Sequence, residues 1–242
     1  MENKICDIHT HIVPEIDDGA RNLEMSIEIM RTAYAQGTRN IVCSSHNWGN
    51  MEMYAEKLEE LRRHAKEENI DIKFYPGCEI GCDYPLVEKI ITDLDSGRIP
   101  TINRTSYTLV EFYPHAHADN ILKCVKYIQA HGYKTIIAHM ERYADLFAEA
   151  KWIPLLQEMG CLIQINAYSI QDTTDLKTKA FARQLLKEER VTFIGSDAHR
   201  TDHRPYMIEN GIEYIYQHCD GKYAKDICYK NAERILKLSN PL

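Results

Sequence analysis

A regular alternation of short apolar runs with amphipathic segments, repeated along the whole chain, most constrains the fold. Residues 135–138 (TIIA) form a near-continuous apolar run, which is typical of parallel strands that helices cover on both faces. Between such runs, apolar residues recur at helical spacing, as at Met25, Ile29 and Ala33, with charged residues on the other side. The alternation predicts an α/β fold with parallel strands.

About seven strands are predicted from the apolar runs and the turn residues that bound them. They span Lys4–Ile8, Arg39–Ser44, Asp71–Pro76, Tyr107–Phe112, Lys134–Ala138, Gly160–Ile165 and Arg190–Gly195. We favour a TIM-like closed barrel over an open doubly wound sheet, because no glycine-rich phosphate loop follows the first strand. Glycines at 37, 132 and 160 are expected to end helices in the left-handed conformation, and residues 223–238 to form a terminal amphipathic helix.

Length and charge exclude several classes of function. A chain of 242 residues falls within the range that barrels fill as a single domain, so we assign residues 1–242 to one domain. Its 29 Lys and Arg against 36 Asp and Glu give a net charge of −7, which offers no basic field for nucleic acid. No apolar run approaches the ~18 residues of a membrane span, so membrane insertion is not expected. Since the N-terminus lacks an apolar signal region, we expect a cytoplasmic protein.

Histidine and acidic residues follow the carboxyl ends of the predicted strands. In a barrel all of these ends face one rim, where active sites are built. His9 and His11 have the period-two spacing of a strand, which directs both imidazoles to one side. So many ionisable groups in one place are costly unless a cation pairs with them. We therefore predict a metal centre with the ligands His9, His11, Asp18, His46, Glu79, Glu111, His139, Asp197 and His199.

The size of this ligand set indicates more than one ion, because about nine ligands exceed what a single ion can use. Two or three divalent ions would satisfy the set, and its mixed nitrogen and oxygen donors suit zinc, manganese or iron. Clustered cations lower the pKa of a bridging water and clamp the oxygens of an in-line displacement at phosphorus. The chemistry indicated is hydrolysis of a phosphate ester by a metal-bridging hydroxide.

Two arginines near the predicted rim strengthen this interpretation. Arg142 follows His139 by three residues, and Arg204 lies in the loop after His199. Either can present a planar fork of donors to a pair of phosphoryl oxygens, so both are candidate catalytic residues. The chain contains no Gly-x-Ser-x-Gly elbow, and its Cys-x5-Arg spacing, from Cys228 to Arg234, falls within the predicted terminal helix and not in a phosphate loop, so nothing requires a nucleophile from the protein itself.

The motifs resemble those of the polymerase-and-histidinol-phosphatase (PHP) family of metal-dependent phosphoesterases, and within it the bacterial capsular and exopolysaccharide tyrosine-protein phosphatases. The resemblance lies in DIHTHIVP at 7–14, DDG at 17–19, SSH at 44–46, GCEI at 77–80, LVEF at 109–112, AHMERY at 138–143 and GSDAH at 195–199. It implies a distorted (β/α)7 barrel and a trinuclear, commonly manganese-activated centre. Residues 47–51 (NWGNM) depart from the pattern, since relatives often carry a basic stretch there.

The resemblance also implies roles for individual residues and for a partner. It implies one ion on His9, His11, Glu79 and Asp197, a second on Glu79, Glu111 and His139, and a third on Asp18, His46 and His199. Arg142 and Arg204 match the positions that bind substrate phosphate. The implied substrate is a phosphotyrosine protein, the tyrosine-rich tail of a cognate membrane tyrosine kinase that controls polysaccharide export.

Other functions remain open on the sequence. One is a small-molecule phosphatase of the histidinol-phosphate type, and another is a catalytically silent metal-binding module, against which the complete ligand set and both arginines argue. An amidohydrolase is disfavoured, because no lysine at a strand end is available as a bridging carbamate.

Overall fold

Strands and helices alternate through residues 4–113, 115–143, 149, 151–172 and 174–237, which the computed structural model describes. The strands are β1 (Ile5–Thr10), β2 (Thr38–Cys43), β3 (Lys73–Pro76), β4 (Glu79–Gly81), β5 (Tyr107–Glu111), β6 (Lys134–Ile137), β7 (Leu162–Asn166) and β8 (Phe193–Gly195). The longer helices are α1 (Leu23–Ala35), α2 (Met51–Glu67), α3 (Val87–Asp95), α4 (Ala118–Ala130), α5 (Trp152–Glu158), α6 (Leu176–Lys187) and α7 (Glu209–His218). The terminal helical segment comprises α8 (Gly221–Lys225), a π-helical turn (Asp226–Lys230) and α9 (Asn231–Leu236).

All paired strands run parallel, in two sheets. One sheet has the order β1-β2-β3 and the other the order β4-β5-β6-β7-β8. Isolated bridges join the sheets at both edges, Thr10 to Ala198 beyond β8 and His46 to Glu79 at the start of β4. The predicted α/β fold with parallel strands is confirmed, and the two bridges bring the sheets together as a distorted barrel.

The third predicted strand differs from the structure. β3 begins at Lys73 and ends at Pro76, and a further short strand, β4, follows at Glu79. Between them Gly77 packs against Val42 of β2, where a Cβ would lie 2.5 Å from Val42 Cγ1, so a side chain at this break would force the Val42 side chain to move. β4 was missed because a three-residue segment with an acid and a glycine is not an apolar run.

Local signals explain the helix boundaries. α1 begins after Asn22, whose side chain accepts a hydrogen bond from the Met25 amide at 3.0 Å. The glycines predicted to end helices do have positive φ, at 90° for Gly37, 88° for Gly132 and 84° for Gly160. The predicted terminal helix is present from Gly221 to Leu236, and position 238 lies outside the described residues.

Apolar side chains from the strands of both sheets and from the helices around them fill the core. A buried cluster that includes Ile8, Ile136 and Phe193 packs against Ile235 and Leu236 of α9, so the terminal helix covers one side of the strands. No helix within the described part of the chain combines the length and apolar character that a bilayer span requires.

Candidate metal centre

The nine residues predicted as metal ligands lie together at the carboxyl-terminal rim of the strands. Eight of the nine contribute donor atoms to three groups, and within each group these atoms lie within 4.8 Å of one another. The groups are His9, His11, Glu79 and Asp197; His46, Glu79 and Glu111; and His11, Asp18, His46 and His199. His139 joins no group at that distance, yet it contacts Glu79 directly.

The first group has the spacing of a single coordination sphere. Glu79 Oε2 lies 3.0 Å from His9 Nε2 and 3.1 Å from His11 Nε2. Asp197 Oδ1 lies 3.4 Å and 3.6 Å from the same two nitrogens. Donors held about 2.1 Å from a tetrahedral ion are themselves separated by about 3.4 Å. Four buried donor groups at these separations therefore suit one divalent ion between them.

Glu79 connects the first group to the second. While Oε2 faces His9 and His11, Oε1 lies 2.7 Å from His139 Nε2. Glu111 approaches from β5, with Oε1 3.1 Å from His46 Nδ1 and Oε2 3.6 Å from His139 Nε2. A carboxylate whose two oxygens face different donors, Oε2 toward His9 and His11 and Oε1 toward His139, has the geometry of a bridging ligand.

The third group contains a histidine nitrogen that lacks a partner. His199 Nδ1 donates to the Asp197 carbonyl at 2.9 Å, so Nε2 carries the free lone pair. This Nε2 is buried and has no hydrogen-bond partner among the described residues, with Asp18 Oδ1 3.6 Å away. Burial, together with the neighbouring His11, lowers the pKa of His199 to about 2, so the ring is neutral. A buried neutral imidazole facing a carboxylate in this way suits a cation.

Asp17, which is not among the predicted site residues, orients two of the candidate ligands. Its Oδ2 accepts hydrogen bonds from His11 Nδ1 at 2.8 Å and from the His46 amide at 2.7 Å. Burial raises the pKa of Asp17, but the charge and hydrogen bond of His11 outweigh it and lower the pKa to about 2. The signal was present, since Asp17 immediately precedes Asp18 in the Asp-Asp-Gly motif.

β7 supplies two amide side chains that sequence reasoning also missed. Gln164 Oε1 accepts from His9 Nδ1 at 3.1 Å and from the His139 amide at 2.8 Å. Gln164 Nε2 donates to Asn166 Oδ1 at 2.9 Å, and Asn166 Nδ2 donates to Asp197 Oδ2 at 3.1 Å. With Nδ1 of His9 engaged, Nε2 is directed at the donor group. The sequence does carry a signal for them, because Gln164 and Asn166 are two positions apart in an otherwise apolar strand and therefore lie on the same face.

Three of the predicted site residues have left-handed backbone conformations. His139 has a φ of 30°, and Asp197 and Arg204 each have a φ of 52°. For an L-residue other than glycine this conformation costs about 1 to 2 kcal/mol. Such strain persists where surrounding contacts fix it, and it concentrates at functional sites.

The two predicted arginines converge on Asp197. Arg142 Nη2 donates to Asp197 Oδ2 at 2.6 Å and to the Tyr168 hydroxyl. Arg204 Nη1 lies 3.3 Å from Asp197 Oδ2, and its Nη2 lies 3.7 Å from Asp18 Oδ2. Both guanidinium groups are partly exposed, so each keeps donors available at the rim. Burial raises the pKa of Asp197, but the charges of Arg142 and His9 outweigh it and hold that pKa well below its usual value.

Comparison with known proteins finds relatives that match nearly the whole chain. Residues 5–237 match the model of a family described as capsular polysaccharide synthesis, CpsB/CapC. Tyrosine-protein phosphatase CpsB of Streptococcus pneumoniae is 33% identical over 247 residues, which cover 96% of this chain and 98% of that protein. Tyrosine-protein phosphatase YwqE of Bacillus subtilis is 31% identical over 241 residues, covering 96% and 92% respectively.

A solved structure of this kind has the same fold. It belongs to the crystal structures of YwqE from Bacillus subtilis and CpsB from Streptococcus pneumoniae, described as unique metal-dependent tyrosine phosphatases. That chain superimposes with a TM-score of 0.86 at 28% identity, covering 98% of this chain and 96% of its own length. The likeness therefore extends over nearly the whole chain.

Proposed function

The chain belongs to the CpsB/CapC family of capsular polysaccharide synthesis, and from this premise we propose that it is a metal-dependent protein-tyrosine phosphatase that regulates capsule or exopolysaccharide synthesis. The observation that carries the proposal is the convergence of Arg142 and Arg204 on Asp197, at the edge of three groups of metal donors. Cations beside paired guanidinium groups form a site for a phosphate ester.

The donor atoms support a centre of two or three divalent ions. His9, His11, Glu79 and Asp197 would hold one ion, and the two oxygens of Glu79 suit it as a bridge to a second ion on Glu111 and His139. A third would lie between Asp18, His46 and His199. Manganese is the metal we favour, and iron and zinc also suit mixed nitrogen and oxygen donors. Bound ions supply a nucleophile from water at neutral pH and neutralise charge on the phosphoryl oxygens.

The side chains of this protein perform the remaining steps. Arg142 and Arg204 bind the phosphoryl oxygens that point away from the donor groups and orient the ester for in-line displacement. Gln164 and Asp17 hold His9 and His11 in the tautomers that turn Nε2 inward. A tyrosine phenol has a pKa of ~10, so a phenolate leaves far more readily than the alkoxide of serine.

The proposed substrate is a phosphotyrosine protein, specifically the tyrosine-rich tail of a cognate membrane tyrosine kinase. We place this reaction in the cytoplasm. The related proteins bear the name tyrosine-protein phosphatase, and their family belongs to capsular polysaccharide synthesis. The two arginines lie at the rim, where a flexible protein tail has access.

One experiment tests both the metal centre and the reaction. The purified protein is loaded with manganese, iron or zinc, its metal content is measured, and it is assayed on phosphotyrosine peptides, phosphoserine peptides and histidinol phosphate. We expect about two to three ions per chain and a preference for phosphotyrosine. A reproducible content of one ion or fewer would contradict the multinuclear centre. Preference for histidinol phosphate would replace the proposed substrate with a small metabolite.

A further inference from the structure

A cavity of about 330 Å³ opens beside the metal centre, between the loop after β2 and the loop after β5. We call it the aromatic cavity; its lining includes Asn47, Trp48, Leu86, Glu111, Phe112 and Tyr113. This volume lies at the lower end of the ~300 to 1,000 Å³ that small-molecule pockets occupy. It is therefore large enough for one side chain of a protein substrate.

Two aromatic side chains flank the aromatic cavity and are unusually exposed. Trp48 is 62% exposed and Tyr113 is 70% exposed. One face of Trp48 is stacked on the His46 imidazole, with ring centroids 4.9 Å apart and an interplanar angle of 22°. Stacking on His46 fixes the indole while most of its surface still faces solvent. Rigid, exposed aromatic rings of this kind provide contact area for a ligand at little entropic cost.

The aromatic cavity shares a wall with the donor groups. Glu111 lines it and also lies 3.1 Å from His46 Nδ1 in the metal centre. Asn47 fixes the loop, because its amide donates to the Glu79 carbonyl at 3.1 Å and its Oδ1 accepts from the Gly81 amide at 3.0 Å. A substrate whose phosphate is bound at the metal centre can therefore extend into the aromatic cavity.

The charges around the aromatic cavity favour a neutral occupant. Glu111 and Asp83 line it and repel a second phosphate or a carboxylate. Arg142 and Arg204 instead contact Asp197, Asp18 and Tyr168, none of which lines the cavity. The phosphoryl group and the group that carries it therefore have separate places on the rim.

The geometry points to the aromatic cavity as the binding site for the phenyl ring of phosphotyrosine. Trp48 and Tyr113 are then the residues that select an aromatic ester. This inference rests on the proposed function and assigns its specificity to two residues. Stacking of one ring against these walls strengthens binding of the aromatic ester, while a short serine phosphate cannot reach both the ions and the walls.

The test compares the variants Trp48→Ala and Tyr113→Ala with Trp48→Phe, which keeps a ring, and with Leu176→Ala. Leu176 is 77% exposed at the start of α6 and lies outside the cavity. For a phosphotyrosine peptide, we expect KM to rise about tenfold in each alanine variant of a wall residue, with kcat per metal-loaded protein nearly unchanged. Metal content is measured for each variant, because Trp48 stacks on the candidate ligand His46. Hydrolysis of the matched phosphoserine peptide should not change, and Trp48→Phe should retain most of the selectivity. Equal loss on both peptides, or no loss in any variant, overturns the inference.

A binding measurement separates this inference from the proposed activity. The chain has two tryptophans, so Trp152→Phe leaves Trp48 as the single indole reporter. A non-hydrolysable phosphonate analogue of the phosphotyrosine peptide should change the Trp48 emission, and an alkyl phosphonate peptide should not. If the wild-type protein hydrolyses no phosphotyrosine, the proposed function fails while this emission still reports on the cavity. Unchanged emission at saturating analogue overturns the inference by itself.

Discussion

Asp17 and His11 form a buried carboxylate–imidazole pair, with Asp17 Oδ2 2.8 Å from His11 Nδ1. Because Nδ1 is engaged, His11 presents Nε2 to Glu79 and Asp197. The same carboxylate oxygen accepts the His46 amide, so one acid positions two candidate ligands. Carboxylates behind metal-binding histidines set the tautomer and raise the basicity of the ring.

Replacement of Asp17 by Asn should weaken metal binding about 10- to 100-fold, since the amide cannot stabilise the imidazole as a carboxylate does. Calorimetric titration of the metal-free protein with Mn²⁺ measures the change. Asp172→Asn is the matched control, because Asp172 is exposed and lies outside the donor groups. Equal affinities in wild type and Asp17→Asn would refute the positioning role.

Removal of either arginine should slow the reaction and spare the ions. In Arg142→Ala and Arg204→Ala we expect kcat/KM to fall about tenfold to a thousandfold, because a phosphate clamp is lost while the donor groups remain. Elemental analysis should show unchanged metal content. Arg31→Ala, which removes an exposed ion pair with Glu68, serves as control. Wild-type kinetics in both rim variants would exclude them from phosphate binding.

Replacement of Gln164 by Leu should lower both stability and metal affinity. The change leaves the His9 Nδ1 and His139 amide donors buried without an acceptor, at a cost of about 1 to 3 kcal/mol for each. Chemical denaturation reports the loss of stability. Gln164→Glu keeps an acceptor oxygen and should recover part of the metal affinity. A leucine variant as stable as wild type would contradict this account.

The metal-free and metal-loaded forms should respond oppositely to pH. Burial and Arg142 lower the pKa of His139, but hydrogen bonds to Glu111 and Glu79 outweigh them and raise it from 6.5 to about 9. A raised pKa stabilises the fold fully below about pH 6.5, and that contribution is lost as the pH rises toward 9. Ions require the deprotonated ring, so metal affinity should rise over the same interval.

Thermal unfolding with and without chelator at pH 6.5, 8 and 9 measures this contrast. His139→Gln should flatten the decline of the metal-free protein, although His11 and His46, whose pKa values are also raised, keep part of it. A metal-free protein whose Tm does not fall between these pH values would refute the assignment. Activity should in turn decrease in mild acid, where protons compete with the ions for histidine.

The sequence allowed prediction of those features whose signal is local. His9 and His11 stood out because they alternate at the end of an apolar strand, and the glycine at 37 because it follows a helical repeat. β4 was not predictable, since three residues become a strand only through pairing with β5. Gln164 and Asn166 escaped for a related reason. Amides are weak signals until the fold brings His9, His139 and Asp197 beside them.

The bridge between Thr10 and Ala198 has a consequence for the order of folding. It joins the first strand to the loop after the last, where Ser196 and His9 are 187 residues apart in sequence. Closing so long a loop costs chain entropy, and folding is slower in proteins whose contacts join residues far apart in sequence. The first donor group contains His9 from β1 and Asp197 from the loop after β8. It therefore cannot form on a chain whose synthesis stops before β8. Capture of an ion by this first group would therefore be a late event, and it would report that β1 and β8 have come together.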